Sequence, residues 1–243
     1  MTRTTGTYAP STTLGELVQA FVPHPLPPSD PPISAACFVE PNRQAELALA
    51  RLSGVSGLVP SVDWLLYSAI RKEALLTSQI EGTQATLTDL FDEEAGLAPS
   101  NTDDVQEVTN YLRAFRFVRD NLHSAQELPI SVRLLCDAHR FLLDGARGAS
   151  KQPGQLRRSQ NWIGGTRPGN AVFVPPPADQ VAGLLSDMER FIHASSPQLP
   201  PLVRIALVHA QFETIHPVLD GNGRIGRLLI AALIEHWGLL PEP

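Results

Sequence analysis

The sequence predicts an all-α protein with one short β-hairpin. From Asn42 onward, apolar residues recur three or four positions apart along most of the chain, which is the period of an amphipathic helix. That period is interrupted once, between Gln152 and Pro177, by a turn-rich segment with a β-prone end. The composition of the 243 residues, 43% apolar and 18% charged, suits a folded chain with a sizeable core. We therefore expect seven or eight helices, and we find no internal repeat.

The first 41 residues are predicted to form a proline-rich N-terminal arm. Six of the 22 prolines lie between Pro23 and Pro32, where missing N–H groups and a fixed φ exclude a helix interior or a central strand. An arm packed along the domain is the favoured interpretation, and a polyproline ligand for a partner protein is the alternative. Residues 42–243 are predicted to form a single domain.

Seven helical segments follow the arm, each defined by its apolar period. The first, up to Leu58, is rich in Ala and Leu, and in the second Ser61 is placed to cap a helix that Gly82 ends. Asp103 or Asp104 is predicted to cap the third. The predicted segments are 42–58, 61–82, 103–118, 131–144, 178–193, 202–215 and 224–237.

Two of these helices carry particularly clear side-chain patterns. The helix 61–82 is expected to bury Val62, Leu65, Leu66, Ala69, Ile70 and Leu76. The helix ending at residue 118 is expected to bury Val105, Val108, Leu112 and Phe115. Ser131 begins the next helix, and Gly145 closes it.

The predicted hairpin covers residues 156–177. Its arms are 161–165 and 171–177, and the turn between them contains the segment TRPGN. A structural hairpin whose edge faces solvent is the simplest interpretation.

Charge and cysteine content narrow the classes of partner. With 19 Lys and Arg against 25 Asp and Glu, the formal net charge of −6 argues against nucleic-acid binding through a broad basic face. Cys37 and Cys136 are isolated, which argues against a zinc ribbon or a disulfide framework. There is no secretory signal, and the apolar run Leu228–Ile234 is too short to cross a membrane, so we expect a soluble cytoplasmic protein.

The segment from His216 to Arg227 carries the chemistry. Pro217 ends one apolar helix, and the glycines that follow allow main-chain N–H groups to converge on an anion where the next helix begins. Arginines three residues apart near that helix start favour a bound phosphate, and a neighbouring carboxylate suits a Mg²⁺ ion that keeps most of its waters. Histidine supplies a base whose ordinary pKa lies near neutrality. The residues concerned are His216, Asp220, Gly221, Asn222, Gly223, Arg224 and Arg227.

Other interpretations of this segment are weaker. The chain has no GxxxxGK[ST] P-loop, and a helix rather than a strand precedes the glycines, which argues against a dinucleotide fold. A plain helix–turn–helix connection would explain any one of these residues but not all of them within twelve positions. His209, Glu213 and His216 could share a helix face as metal ligands, but a di-iron bundle needs a second Glu-x-x-His, and we find none.

At these residues the sequence resembles the Fic (Fido) domain family of protein adenylyltransferases, whose signature is HPFx[DE]GNGRxxR. Val218 in place of Phe is the only departure, and the family packs that position into its core. The resemblance implies a Fic-type helical bundle with a β-hairpin flap. It also implies that His216 deprotonates a Ser, Thr or Tyr hydroxyl of a target protein, which then takes AMP from ATP.

The same resemblance implies the binding roles. Asp220 would hold Mg²⁺ between the α- and β-phosphates, and Asn222 with the amides of Gly221 and Gly223 would cradle the α-phosphate. Arg224 and Arg227 would bind the β- and γ-phosphates.

A second family element lies upstream at Thr77-Ser78-Gln79-Ile80-Glu81-Gly82, which matches the inhibitory motif [ST]xxxE[GN]. The chain thus resembles the class whose inhibitory helix is N-terminal, with Thr77, Glu81 and Gly82 as its motif residues. Glu81 would pair with Arg227 and leave ATP unproductively bound. In some relatives the inhibitory glutamate also serves AMP removal, an activity that Glu81 could share.

The family also uses its flap to dock the target segment as an added strand. Here that role would fall to Trp162, Ile163, Gly164 and Gly165. Family members usually continue with helices that close over the adenine, and this sequence ends at Pro243, so the resemblance implies a pocket that is incomplete or completed by another chain. A homodimer is the other partnership we consider, and an ATP-sensing module without turnover and a structural domain without a ligand are the alternative functions.

Overall fold

The computed structural model describes residues 4–56, 62–124, 129–194 and 199–240. These residues contain eight α-helices and one two-stranded antiparallel sheet, so the predicted all-α class is confirmed. The chain divides into two compact units, one formed by residues 1–42 and 156–222 and the other by residues 43–155 and 223–243. Within the described residues, no helix combines the length and the apolarity needed to cross a membrane.

The first unit begins with a β-hairpin. Strands β1 (Gly6–Thr13) and β2 (Glu16–Pro23) pair over their whole length, and both turn residues, Leu14 and Gly15, have positive φ. The predicted proline-rich arm is therefore wrong for residues 6–23, which form this hairpin, although prolines do follow it. The alternation in ELVQAFVP, which buries Val18 and Ala20, is the signal that proline content obscured.

Helices α6 (Val181–Ile192) and α7 (Pro201–Ile215) complete the first unit and pack on each other. Both were predicted from their apolar periods, and both bury that face, because side chains four positions apart lie on one side of a helix. The buried positions are Val181, Leu185, Met188, Ile192, Ile205, Val208, Phe212 and Ile215.

The second unit contains the remaining helices. They are α1 (Val39–Ser56), α2 (Val62–Ile80), α3 (Leu87–Glu94), α4 (Thr102–Leu122), α5 (Val132–Leu142) and α8 (Asn222–His236), of which α1 and α8 each begin in the first unit. The predicted α4 stripe of Val105, Val108, Leu112 and Phe115 is buried, and α2, α3 and α5 contact α4.

Helix α3 was not predicted, because eight residues are too few for a clear period. It is specified by a capping box instead. The Thr86 hydroxyl accepts a hydrogen bond from the Asp89 N–H, and the Asp89 carboxylate accepts one from the Thr86 N–H.

The predicted helix starts are partly corrected. Ser131 caps α5 by accepting a hydrogen bond from the Leu134 N–H, as expected. Helix α4 is capped by Asn101 rather than by Asp103 or Asp104, since the Asn101 side chain accepts from the Asp104 N–H. The Ser61 cap lies outside the described residues.

The described part of α2 buries a different face from the predicted one, and the predicted side chains of Val62, Leu65 and Leu66 lie outside the described ones. Leu76 is 46% exposed, whereas Arg71, Ala74, Leu75 and Ser78 are buried. An apolar pattern misses this face because half of it is polar. Arg71 is buried with a partner, because its guanidinium pairs with Glu94 on α3.

Candidate active site

The motif from His216 to Arg227 is shared between the two units. Residues 216–221 form a loop in the first unit, which also includes Asn222, the first residue of α8, and residues 223–227 lie in α8 in the second.

The loop begins with a left-handed residue. Helix α7 ends at Ile215, and His216 adopts φ 50° and ψ 62° while its N–H donates to the Phe212 carbonyl oxygen at 2.9 Å. A non-glycine residue in this region needs surrounding structure to hold it. The half-buried His216 is therefore fixed at its main chain, as a general base requires.

The side chain of Asn222 shapes the rest of the loop. Its Oδ1 accepts from the Val218 N–H at 2.9 Å and its Nδ2 donates to the Val218 carbonyl oxygen at 2.8 Å, with Asn222 itself only 3% exposed. Val218 is 4% exposed, so the position where the family has Phe belongs to the core as expected. The amide side chain of Asn222 is thus committed to the loop, which leaves its main-chain N–H for the predicted phosphate cradle.

The turn into α8 suits an anion. Gly221 has φ 81°, a conformation that favours glycine, and α8 begins at the next residue. Main-chain N–H groups in the first turn of a helix have no partner within the helix, so they attract negative charge.

In the second unit, Glu81 reaches Arg227. The Arg227 Nη2 donates to Glu81 Oε1 at 2.5 Å and to the main-chain oxygen of Thr77 at 3.2 Å. The carboxylate of Glu81 also lies against Gly223, at the place where a side chain would begin. The ion pair that the resemblance implies is therefore present, with the two side chains 22% and 34% exposed.

The end of α2 presents Glu81 in this position. The Glu81 N–H donates to the Ser78 carbonyl oxygen and the Gly82 N–H to that of Gln79, both at 3.0 Å. Gly82 then takes φ 96°, which turns the chain away just after the glutamate. Thr77 is buried and donates to Glu73 at 3.0 Å, which holds the last turn of the helix in place.

Arg224 differs from Arg227 in its surroundings. It is only 4% exposed, and its Nη1 lies 3.5 Å from Oε2 of the equally buried Glu107 on α4. Glu107 also accepts from Arg147 at 2.5 Å and from the Thr83 hydroxyl at 3.0 Å. The structure therefore places Arg224 in a buried charged network, whereas Arg227 lies in a contact with partial access to solvent.

Asp220 is half-buried in the loop of the first unit. Within the described ranges, no group of three or more His, Cys, Asp and Glu side chains could enclose a metal. A single carboxylate fits Mg²⁺, which takes one or two protein carboxylates and completes its shell with waters and substrate phosphates. Of the alternative metal set, His209 and Glu213 lie on one face of α7, with His209 Nδ1 4.0 Å from Glu213 Oε1.

The predicted flap is a hairpin in outline, joined by a single β-bridge. Ile163 donates to the Phe173 carbonyl oxygen at 2.8 Å and accepts from the Val172 N–H at 2.9 Å. Gly164 and Gly165 have φ values of 67° and 73°, so the turn between the arms requires both glycines.

The N-terminal hairpin extends this flap. The Phe21 N–H of β2 donates to the Val174 carbonyl oxygen at 2.8 Å, on the opposite side of that arm from the bridge to Ile163. Trp162 and Ala171 pack on a small core formed by Val18, Ala20 and Val174. The outer edge of the second arm is thus covered by β2.

Two residues of these surroundings were missed in the sequence. Arg157 is 2% exposed and lies beneath the loop, and Glu107 is the anion beside Arg224. Glu107 lies on the same helix face as Val108 and Leu112, so a carboxylate at a buried helix position was the available signal. Arg157 follows no periodic element, and nothing local distinguishes it from its exposed neighbour Arg158.

A helical chain with this glycine loop, this helix start and this arginine–glutamate pair has the features of a Fic-type domain. Comparison with protein families agrees, since the Fic/DOC family N-terminal model matches residues 39–119 and the Fic/DOC family model matches residues 129–234. The chain belongs to the Fic/DOC family.

Among curated proteins, the Protein adenylyltransferase Fic of Drosophila yakuba is 29% identical over 169 residues, which is 67% of this chain and 31% of that protein. The protein of the same name from Drosophila melanogaster is 28% identical over 169 residues, or 67% and 32% of the two chains. The chain thus spans about a third of the length of these relatives.

Solved structures share the fold. A Fic family protein from Desulfovibrio desulfuricans G20 superposes with a TM-score of 0.61 at 26% identity, over 81% of this chain and 57% of that one. Fic-1 from C. elegans gives a TM-score of 0.65 at 23% identity, over 84% and 60% of the two chains, a likeness of fold alone.

Proposed function

We propose that this chain is a protein adenylyltransferase that transfers AMP from ATP to a hydroxyl side chain of a target protein, and that Glu81 restrains it. The observation that carries the proposal is the pairing of Arg227, the last residue of the motif, with Glu81 of the upstream motif. Names of relatives support the reaction class, and the motif supplies a residue for each step.

The transfer needs a base beside a held triphosphate. His216 takes the proton from a Ser, Thr or Tyr hydroxyl of the target, and the hydroxyl oxygen forms a bond to the α-phosphorus of ATP. The bond from that phosphorus to the bridging oxygen of the β-phosphate breaks, so pyrophosphate leaves with the electron pair. AMP remains on the target. The fixed main chain of His216 favours this role because general-base catalysis depends on position.

Charge neutralisation falls to the residues after the histidine. The first-turn N–H groups of α8 bind phosphate oxygens, and Asp220 is the residue that would hold Mg²⁺. When bound, Mg²⁺ neutralises charge that develops on the phosphates during transfer. Arg227 contributes a guanidinium suited to the terminal phosphate.

Glu81 limits activity because Arg227 cannot hold both a carboxylate and a phosphate in one geometry. Without ATP, the Glu81 carboxylate pairs with Arg227 and lies against Gly223, at the start of α8. A triphosphate that enters without this arginine is held in fewer places, so its α-phosphorus is less well aligned for attack.

Labelling with α-³²P-ATP and Mg²⁺ tests the proposal. We expect Glu81→Gly to label itself or a lysate protein more strongly than wild type, and Glu81→Gly with His216→Ala to label nothing. Glu81→Gln, which keeps the shape and removes the charge, should lie between wild type and Glu81→Gly. The proposal fails if Glu81→Gly binds ATP in equilibrium dialysis and transfers no label under the same conditions.

A further inference from the structure

Arg157 is a buried arginine whose hydrogen-bond acceptors, within the part of the chain that the structure describes, are main-chain carbonyl groups. It is 2% exposed, and every acceptor that the structure shows for its side chain is a main-chain oxygen. Burial lowers the pKa of its guanidinium to about 10, so the group is still charged at neutral pH. Burying a charge costs free energy unless hydrogen bonds compensate for it. The partners of Arg157 therefore indicate what the residue does.

On one side, Arg157 holds the end of α7. Its Nε donates to the His216 carbonyl oxygen at 2.9 Å, and its Nη2 donates to that of Ile215 at 3.3 Å. Its own main-chain N–H donates to the Pro217 carbonyl oxygen at 2.9 Å. The last carbonyl groups of a helix lack partners within the helix and carry partial negative charge, so a cation there is favourable.

These contacts surround the left-handed residue. His216 keeps φ 50° and ψ 62° with its N–H bonded to α7 and its carbonyl bonded to Arg157. The direction of the imidazole depends on this main-chain conformation, because the side chain leaves from the same Cα. Arg157 thus fixes the conformation from the carbonyl side of the residue.

On the other side, Arg157 holds both ends of the flap. Its Nη2 donates to the Pro176 carbonyl oxygen at 2.6 Å, near the end of the second arm, and its Nη1 donates to that of Ser159 at 3.2 Å, just before the first arm. One planar guanidinium therefore bonds to His216 and to both flap ends at once. The flexible ammonium of lysine has three donors at one point and could not span these acceptors.

We propose that Arg157 is a positioning residue that sets the base His216 relative to the flap on which the target segment would dock. The role rests on the proposed function, since it concerns the distance between a docked hydroxyl and the base. Arg157 does not contact the reacting atoms. Its loss would affect alignment rather than ATP binding.

Kinetics with Arg157→Lys in the Glu81→Gly background provide the first test. We expect kcat to fall about 10- to 100-fold, the effect typical of a misplacement of about 1 Å, while KM for ATP changes less than about twofold. Arg158→Lys, an adjacent exposed arginine, is the matched control and should leave both constants unchanged. Arg157→Gly should regain part of its kcat in millimolar guanidinium, which fills the vacated space. A kcat for Arg157→Lys within about twofold of the Glu81→Gly parent overturns the proposal.

Amide hydrogen exchange gives a second readout that needs no activity. We expect the Ile163 and Phe173 amides of the flap to exchange faster in Arg157→Lys than in Arg158→Lys, while buried α8 amides such as Leu229 exchange alike in the two variants. Uniformly faster exchange, or no change at the flap, overturns the proposal. If Glu81→Gly itself transfers no AMP, the proposed function fails, and the exchange result still decides whether Arg157 holds the flap.

Discussion

Replacing Glu107 by glutamine tests what Arg224 does in the folded chain. Both side chains are only 5% exposed, and Glu107 Oε2 lies 3.5 Å from Arg224 Nη1. Removing one partner of a buried ion pair leaves a buried charge without compensation, which costs about 3–5 kcal/mol. Because this contact is long, we expect the lower end, about 3 kcal/mol, which corresponds to a fall in Tm of about 6–12 °C for a chain of this size.

The network offers a matched control for this measurement. Arg147 also pairs with Glu107, but its side chain is 58% exposed and stays hydrated. Arg147 pairs with the buried Asp104 as well, but Asp104 keeps its hydrogen bonds from the Gln84 N–H and the Asn101 side chain, and Glu107 keeps Arg224. Arg147→Met should therefore cost about 1 kcal/mol or less and lower Tm by no more than about 2–4 °C. The double variant Glu107→Leu with Arg224→Met removes both buried charges and should recover most of the stability lost in Glu107→Gln.

Thermal unfolding followed by circular dichroism, with and without ATP and Mg²⁺, separates the two roles of Arg224. Since Arg224 is buried against α4, we expect ATP to stabilise wild type and Glu107→Gln by the same amount. If Glu107→Gln melts within 2 °C of wild type, Glu107 is not the anion that Arg224 needs. If ATP stabilises Glu107→Gln more than wild type, Arg224 contacts the phosphates, as the family resemblance implies, and Glu107 is its partner only in the absence of ATP.

Two further predictions concern helix starts. Hydrogen bonds from Ser100 and Thr86 hold the pKa of the Asp89 carboxyl well below its usual range, so its stabilisation is present above the unfolded pKa and lost as pH falls through the folded one. Tm should therefore be lower in Asp89→Asn than in wild type, by a constant amount from pH 7 to about pH 4. Below about pH 4 this difference in Tm should shrink. A difference in Tm that does not depend on pH would contradict the stabilising role of the Asp89 carboxylate. Ser131→Ala removes the cap of α5 and should lower the free energy of unfolding by about 1 kcal/mol, or Tm by about 2–4 °C. As a control, Ser159→Ala, at an exposed serine, should change Tm by less than about 1 °C. Equal effects of the two substitutions would argue against the Ser131 cap.

The helices that were predicted well are those whose burial follows the apolar period. In α6 and α7, the residues that a 3.6-residue period selects are the buried ones, since both helices pack one face on a neighbour. In helix α2, burial does not follow the apolar period. Its buried face contains Arg71 and Ser78, and a buried arginine is recognised only once its tertiary partner, here Glu94, is known.

The N-terminal hairpin was missed for a related reason. Proline content predicted an arm, yet Pro10 lies within β1, opposite Gln19 in a two-stranded sheet. In this sheet β1 is an edge strand, and edge strands tolerate proline. The alternating burial of β2 depends on contact with the flap, which is more than 130 residues away in the chain. Sequence alone shows the alternation but not the surface that it covers.

Some residues of the candidate site could be identified from the sequence, and others could not. His216, Asp220 and Arg227 were identifiable because their spacing is contiguous and each residue type has a chemical reason to be there. The pairing of Glu81 with Arg227 came from the family resemblance, and the structure supplies its geometry. Arg157 and Glu107 could not be identified, because a buried charge and a solvated one look alike in a sequence until the fold brings their partners together.

The exposure of the Glu81–Arg227 pair sets how strongly it can restrain the chain. With side chains 22% and 34% exposed, the pair resembles surface ion pairs worth about 0.2–1 kcal/mol, to which the bond from Arg227 to the Thr77 carbonyl oxygen adds a modest amount. At about 1 kcal/mol, the paired form outnumbers the released form only about fivefold, since 1.4 kcal/mol corresponds to a factor of ten. The population of the pair therefore accounts for an increase of about fivefold in the rate of AMP transfer by Glu81→Gly over wild type. A much larger increase would mean that Glu81 acts mainly on bound ATP, by denying the terminal phosphate its arginine and so misaligning the α-phosphorus.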